Sequence, residues 1–311
     1  MSTHEALQRA TAELRRILAA CDGEGLSHGD IETRDWNVEA TLRDGKDSVK
    51  VVVYFNAKGN LTPKIQGKDS PLRQRVELQL HGSEPLASAF LPSNITTWIG
   101  VDESGKGDYF GPLVAAGVCV TPEDLLKLKS ALLRDSKELS AERITIAARK
   151  VREICGERCT VVVVPPAKYN TFMEGTSFGK NSQRILAWMH ARCIENLLEA
   201  GCSAAHAICD KFAGEHVIER ALLPLGRGIK VHQHVRAEAD PAVAAASVLA
   251  RDEFVRRMKQ LEQQCGHALP LGASDERGIA AAGTHIVRTH GWAALRDYAK
   301  LHFRSSRLIK G

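Results

Sequence analysis

No stretch of this chain is both apolar enough and long enough to cross a bilayer, so no membrane-embedded element is expected. The opening residues, Met1-Ser-Thr-His-Glu5, show no basic region running into an apolar core, so no secretory signal is expected either. Repeats and low-complexity tracts are absent, which leaves no sign of a solenoid or an array. The eight cysteines form no framework. Most, like Cys119, Cys193, Cys202 and Cys209, lie in apolar runs and read as reduced, buried thiols, the default in a reducing compartment. Cys155 and Cys159 bracket Gly-Glu-Arg, but no second pair lies near them in sequence, which counts against a zinc site.

What is present is ordinary globular composition, 44% apolar and 25% charged, over 311 residues, enough for two domains. The formal net charge of +5 is mild, but its distribution is uneven. Between Arg43 and Arg75 eight Lys and Arg face three Asp, either a solvated surface or a face that contacts phosphates. Leu7, Ala10, Leu14, Ile17 and Leu18 recur at helical spacing within 5–21. Three strands follow, at 36–42, 49–55 and 61–66, the first two joined at the turn signal Asp44-Gly45. A helix is expected over 71–81 and a proline-bearing linker over 83–93. The expected division is an N-terminal α+β domain, 1–90, and a second domain, 91–311. In the second, strands at 98–103, 112–120, 159–164 and 206–210 alternate with helices at 122–133, 140–154, 181–200, 241–264 and 290–300. That alternation indicates an α/β layer.

The chemistry concentrates at Ile99-Gly-Val-Asp102-Glu103-Ser-Gly-Lys-Gly-Asp-Tyr-Phe-Gly-Pro112. Two adjacent carboxylates end an apolar strand, a costly arrangement unless a cation or a shared proton offsets it. The segment from Gly100 to Gly107 nearly matches a P-loop. It fails because Gly107 stands where the metal-ligating hydroxyl belongs, and because two acids would lie inside the phosphate cradle. A second apolar strand ends in Asp210, and Glu238 and Asp240 precede the small-residue helix that begins at Ala242. Strand-end acids on one sheet can converge at a single edge. Distant carboxylates that converge suit Mg2+ or Mn2+, and two such ions can clamp an in-line phosphoryl displacement.

Asp102-Glu-Ser-Gly-Lys-Gly-Asp-Tyr-Phe-Gly-Pro-Leu113 resembles the signature of the type 2 ribonucleases H, in the bacterial ribonuclease HIII branch, which carries Gly-Lys-Gly where the ribonuclease HII branch has Gly-Arg-Gly. Arg134-Asp-Ser136-Lys137-Glu-Leu-Ser, the helix from Asn181 to Asn196, Asp210-Lys-Phe-Ala, Ala244-Ala-Ala-Ser247-Val-Leu-Ala-Arg251, Leu269-Pro-Leu-Gly-Ala-Ser274 and Ala299-Lys-Leu-His-Phe303 resemble other family segments in the same order. The resemblance runs from about Trp98 to Arg304 and extends more weakly over residues 1–90. It implies a ribonuclease H-like domain, a central mixed sheet flanked by helices, preceded by a small TATA-binding-protein-like α+β domain that binds substrate. It implies an endonuclease that cuts the RNA strand of RNA–DNA hybrids with two divalent ions, Mg2+ or Mn2+, leaving 5′-phosphate and 3′-hydroxyl ends. The alternatives are ribonuclease HII-like cutting at single ribonucleotides in DNA, or a catalytically weak hybrid-binding protein.

Residue by residue, Asp102, Glu103 and Asp210 match three of the four metal-binding acids. The ribonuclease HIII pattern places a Glu four residues after the third acid; here Gly214 holds that position and Glu215 follows. The ribonuclease HII branch draws an Asp from just before the Ala-Ala-Ser helix, where Glu238 and Asp240 lie. Glu215 is the favoured fourth acid, then Asp240, then Glu238. Gly105, Lys106 and Gly107 suit reading of the ribose 2′-OH through close backbone approach, and Ser136 and Lys137 suit the substrate backbone. A cytoplasmic monomer without an obligate protein partner is expected.

Overall fold

The computed structural model describes residues 3–22, 26–68, 70, 72–73, 76, 88, 90–92, 94–132 and 141–310. The expected helix at 71–81 and the linker fall largely outside that set. The chain divides into two compact units, Met1–Leu86 and Ala87–Gly311.

In the first unit helix α1 (Thr3–Asp22) covers one face of an antiparallel sheet whose main path is β1 (Ser27–His28), β3 (Asn37–Asp44), β4 (Asp47–Phe55) and β5 (Leu61–Gln66). The short β2 (Glu32–Thr33) also pairs with β3. The helical stripe Ala6, Ala10, Leu14, Ile17 and Leu18 is buried against Val38, Ala40, Leu42, Val49, Val51 and Val53. Because strand side chains alternate, the opposite face carries Thr41, Lys50 and Gln66 in one cross-strand row and Tyr54 and Thr62 in another, with Lys64 over the Tyr54 ring. Gly45, with φ of 60°, turns β3 into β4 where Asp44-Gly45 signalled it.

The second unit is built on the mixed sheet β10-β9-β6-β7-β8, from β6 (Trp98–Ser104), β7 (Leu113–Val120), β8 (Cys159–Val164), β9 (His206–Asp210) and β10 (Lys230–His234). Strands β6, β9 and β10 run parallel, while β7 is antiparallel to β6 and β8. Every residue of β7 is buried, so helices cover both sheet faces. The helices are α2 (Pro122–Leu132), α3 (Ala141–Cys155), α4 (Pro166–Glu174), α5 (Ser182–Glu199), α6 (Glu215–Glu219), α7 (Pro241–Cys265), α8 (Glu276–His290) and α9 (Leu295–Tyr298).

Helix α5 starts where the Asn181 side chain accepts the Gln183 N–H, and it buries Ile185, Leu186, Met189, Cys193, Ile194 and Leu197, the stripe expected from its periodicity. Helix α7 takes the other face. A methyl on Gly100 would overlap the backbone of Ala242 and Val243, so the small residues that open α7 let it lie directly on β6.

The helix expected over 290–300 is shorter and broken: a 3-10 turn at Trp292–Ala294 leads into the single α-helical turn α9. Helix α8 ends at His290 on Gly291, whose φ is 85°, and Ala299 is extended and bridges Phe110. Helices α4 and α8 and strand β10 were not anticipated. Lys-Val-His-Gln-His is too polar to read as a strand, because it lies on the sheet edge and needs no apolar partner on both sides.

Candidate active site

Parallel strands β6 and β9 pair Val101 with Cys209, so Asp102 and Asp210 leave the sheet side by side at its carboxyl end. Strand alternation then separates the two adjacent acids of β6. Ile99, Val101 and Glu103 share the α5 face, whereas Trp98, Gly100 and Asp102 share the α7 face. Each acid accordingly meets a different helix.

On the α7 face the Ser247 hydroxyl bonds Asp102, whose carboxyl burial pushes up to about 6 against that bond, with the neighbouring Glu103 charge adding to the rise. Asp210 Oδ1 accepts the Ala237 N–H at 3.0 Å. Ala237 opens a 3-10 turn, Ala237–Ala239, that leads into α7.

On the α5 face Glu103 is gripped at both oxygens. His190 Nε2 lies 3.2 Å from Oε2, and Lys106 Nζ donates to Oε1 at 3.3 Å. Burial works to raise the Glu103 carboxyl, but the His190 contact and the Lys106 ammonium hold it below its ordinary value. Phe212, two residues past Asp210, backs both partners. Its ring meets His190 edge-on at 4.9 Å and lies 5.7 Å from the Lys106 ammonium.

The turn after β6 is braced from below. Gly105 has φ of 89°, and a side chain there would overlap Pro112 and Phe254. Gly107 differs: it is exposed, has no positive φ, and an added methyl would touch nothing in the protein. Gly272 donates to Asp108 at 2.7 Å. Fully buried Lys300 donates to the Gly111 carbonyl at 2.7 Å, and burial pushes its ammonium down to about 7. Tyr109 is buried in the core.

The three candidates for a fourth acid part company. Asp240 caps α7, accepting the Ala242 and Val243 N–H groups and the Trp98 indole N–H at 3.0 Å; it is 1% exposed and sits at the opening end of β6, away from Asp102. Glu238 is exposed, on the turn bonded to Asp210. Glu215 opens α6, and its side chain lies outside the described ones. Ser136 and Lys137 lie outside the described residues. Sequence reasoning gave no role to His190, Phe212 or Ser247. A histidine inside the apolar stripe of α5, between Leu186 and Ile194, was the available signal for the first.

Among the described residues no three acids, histidines or cysteines converge closely enough to hold an ion as they stand. Glu103 is turned to His190 and Lys106, and Asp210 to the Ala237 amide. The donor set nonetheless fits a hard divalent cation. Its atoms are all carboxylate oxygens, and the Glu103 charge adds to the rise that burial imposes on Asp102, a repulsion that a bound cation would relieve.

A mixed sheet with acids at the ends of adjacent parallel strands and helices on both faces is the ribonuclease H fold. A solved structure of Bst-RNase HIII in complex with Mn2+ superposes with a TM-score of 0.61 at 26% identity, over 89% of this chain and 87% of that one. The chain belongs to the ribonuclease HII family, whose model matches residues 99–306, and within it to the ribonuclease HIII branch. It is 41% identical to ribonuclease HIII of Chlamydia caviae over 262 residues, 83% of each chain, and 39% identical to that of Protochlamydia amoebophila over 219 residues, 70% of each.

Proposed function

We propose that this chain is an endonuclease that hydrolyses the RNA strand of RNA–DNA hybrids, leaving 5′-phosphate and 3′-hydroxyl ends. The observation that carries the reading is the placement of Asp102 and Asp210 side by side at the carboxyl end of β6 and β9, with Glu103 adjoining. Asp102, Glu103 and Asp210 would hold divalent ions, Mg2+ or Mn2+. Such ions supply a water of lowered pKa and charge neutralisation at the leaving oxygen.

The chain's own residues do the rest. Ser247 and His190 orient Asp102 and Glu103 from opposite faces. The open space at Gly107 lets a ribose approach the backbone, whose N–H and C=O groups can bond a 2′-OH. Lys106, half exposed, is within reach of a phosphate. The face of Lys50, Tyr54, Lys64 and Gln66 in the first unit suits a nucleic-acid backbone, with lysines for phosphates and an aromatic ring among them. Of the two acids before α7, the geometry favours Glu238 as fourth acid, because its turn is bonded to Asp210, whereas Asp240 is taken up as a helix cap. No described helix is long and apolar enough to cross a membrane. The eight cysteines are all free, which supports a reducing, cytoplasmic setting. We read the chain as a monomer.

Cleavage of a continuous hybrid and of a DNA duplex bearing one ribonucleotide, each with Mg2+ and with Mn2+, tests the reading. The hybrid is expected to be cut faster; preference for the single ribonucleotide would favour the ribonuclease HII-like activity that the name of the matching family model suggests. Asp102→Asn and Glu238→Gln are expected to abolish turnover while hybrid binding persists, Asp240→Asn to retain it, and excess EDTA to stop the wild type. Turnover undiminished in EDTA would remove the metals from the site.

A further inference from the structure

We propose that His190 is the positioning residue that fixes the Glu103 carboxylate for a divalent cation, through an Nε2–H bond to Oε2. The proposal rests on Asp102, Glu103 and Asp210 being the ligands of that cation.

The imidazole is sealed. The His190 side chain has no solvent exposure and sits on α5 among Leu186, Met189, Cys193 and Ile194. Its rotation is blocked on one side by the edge-on contact with Phe212. Nε2 lies 3.2 Å from Glu103 Oε2, while Nδ1 is buried without a hydrogen-bond partner. An ionised carboxylate only accepts, so the proton of the contact belongs to Nε2. A buried polar side chain in an apolar stripe, satisfied at one atom only, carries a desolvation cost that packing alone does not offset. Its single bond is to a site acid.

The two partners of Glu103 differ in kind. His190 is buried and rigid, whereas Lys106 is half exposed on a flexible stem. His190 therefore sets the plane of the carboxylate, and Lys106 occupies Oε1, the oxygen open to exchange. Glu103 Oε1 would be free for a cation once the mobile Lys106 ammonium moved aside, while His190 kept the orientation of the carboxylate. Partners that orient a ligand in this way typically change metal affinity by about 10–100-fold when removed.

The test is Mn2+ titration of the full-length chain without substrate, read from the electron paramagnetic resonance signal of free aquated Mn2+. Wild type is compared with His190→Leu, which has no donor, His190→Gln, whose amide nitrogen reaches the Nε2 position, and His190→Asn, whose nitrogen stops near Nδ1. Melting temperatures establish that each variant is folded. Leu and Asn are expected to weaken Mn2+ binding about tenfold or more, and Gln to restore most of it. With hybrid substrate, the Leu variant should lose turnover at low Mn2+ and regain it at high Mn2+, with the KM for hybrid unchanged. A folded Leu variant that binds Mn2+ like wild type overturns the proposal, as does a Gln variant no better than Leu, which would make the role one of packing. If Leu does not fold, Gln against Asn decides, and equal affinities overturn the proposal. Wild-type chain that takes up no Mn2+ overturns the metal reading itself; uptake by wild type with unaltered variants overturns His190 alone.

Discussion

At the scale of single residues, the site holds a conflict between folding and chemistry. The Asp102 carboxyl is pushed up to about 6 by burial, from an ordinary 3.8. Between those values the folded chain binds more protons than the unfolded one, so stability falls as pH rises through that window. Above pH 6 the cost is fully present, about 3 kcal/mol in the absence of metal. Asp102→Asn in EDTA is therefore expected to melt higher than wild type at pH 7.5, with the difference closing near pH 4; a gap independent of pH would remove the buried charge as its cause. The two turn glycines separate in the same manner. Gly105→Ala meets Pro112 and Phe254 at a positive φ and should destabilise the chain, whereas Gly107→Ala meets nothing. The second variant is expected to keep the wild-type melting temperature and raise the KM for hybrid, because the methyl fills the space offered to the ribose. An unchanged KM would take Gly107 out of substrate recognition.

At the scale of elements, β6 is the strand on which both helical layers are registered. Trp98, Gly100 and Asp102 meet Asp240, the Ala242-Val243 backbone and Ser247 in turn, so α7 runs along the strand with one face toward it. The closeness that Gly100 allows is what brings Ser247 to Asp102. Gly100→Ala would overlap helix backbone, which cannot step aside as a side chain can. A loss of about 3 kcal/mol is expected, read by urea denaturation. Cleavage should fall by more than the loss of folded molecules explains, because Ser247 moves with the helix. Proportional losses would mean that the helix position matters for folding only. Opposite β6, α5 is fixed by its apolar stripe, and that stripe brings His190 to Glu103.

At the scale of the whole molecule, each unit has its own apolar core, α1 on its sheet in the first and α5 on the mixed sheet in the second. Residues 87–311 are therefore expected to fold without the first unit. The isolated catalytic unit should retain kcat but show a KM for hybrid raised on the order of tenfold or more, because a second attached binding surface acts through effective concentration. Its binding should also depend less steeply on salt, having lost the lysine-bearing face of the first unit proposed to meet phosphates. Unchanged KM and salt slope would leave the first unit without a part in substrate binding.

Local pattern was enough for the strand-end acids, the turn after β6, the apolar stripe of α5 and the small-residue approach of α7, because strand alternation, helical spacing and glycine chemistry act over a few residues. The edge strand β10, helices α4 and α8 and the bend at Gly291 escaped it; β10 lies on an edge, where a polar strand costs little. The choice among the candidates for a fourth acid escaped it too. Asp240 and Glu238 stand two residues apart, and sequence ranked Asp240 ahead of Glu238, whereas the reading proposed above takes Glu238. Only the packing of α7 on β6 decided that Asp240 turns to Trp98 as a cap while the turn before it reaches Asp210. The same holds for His190. Its position on a buried face was determined by helical period, but the face it meets, and hence its bond to Glu103, was set by which side of β6 α5 covers. That choice lies in contacts between residues nearly ninety positions apart, beyond the reach of any local pattern.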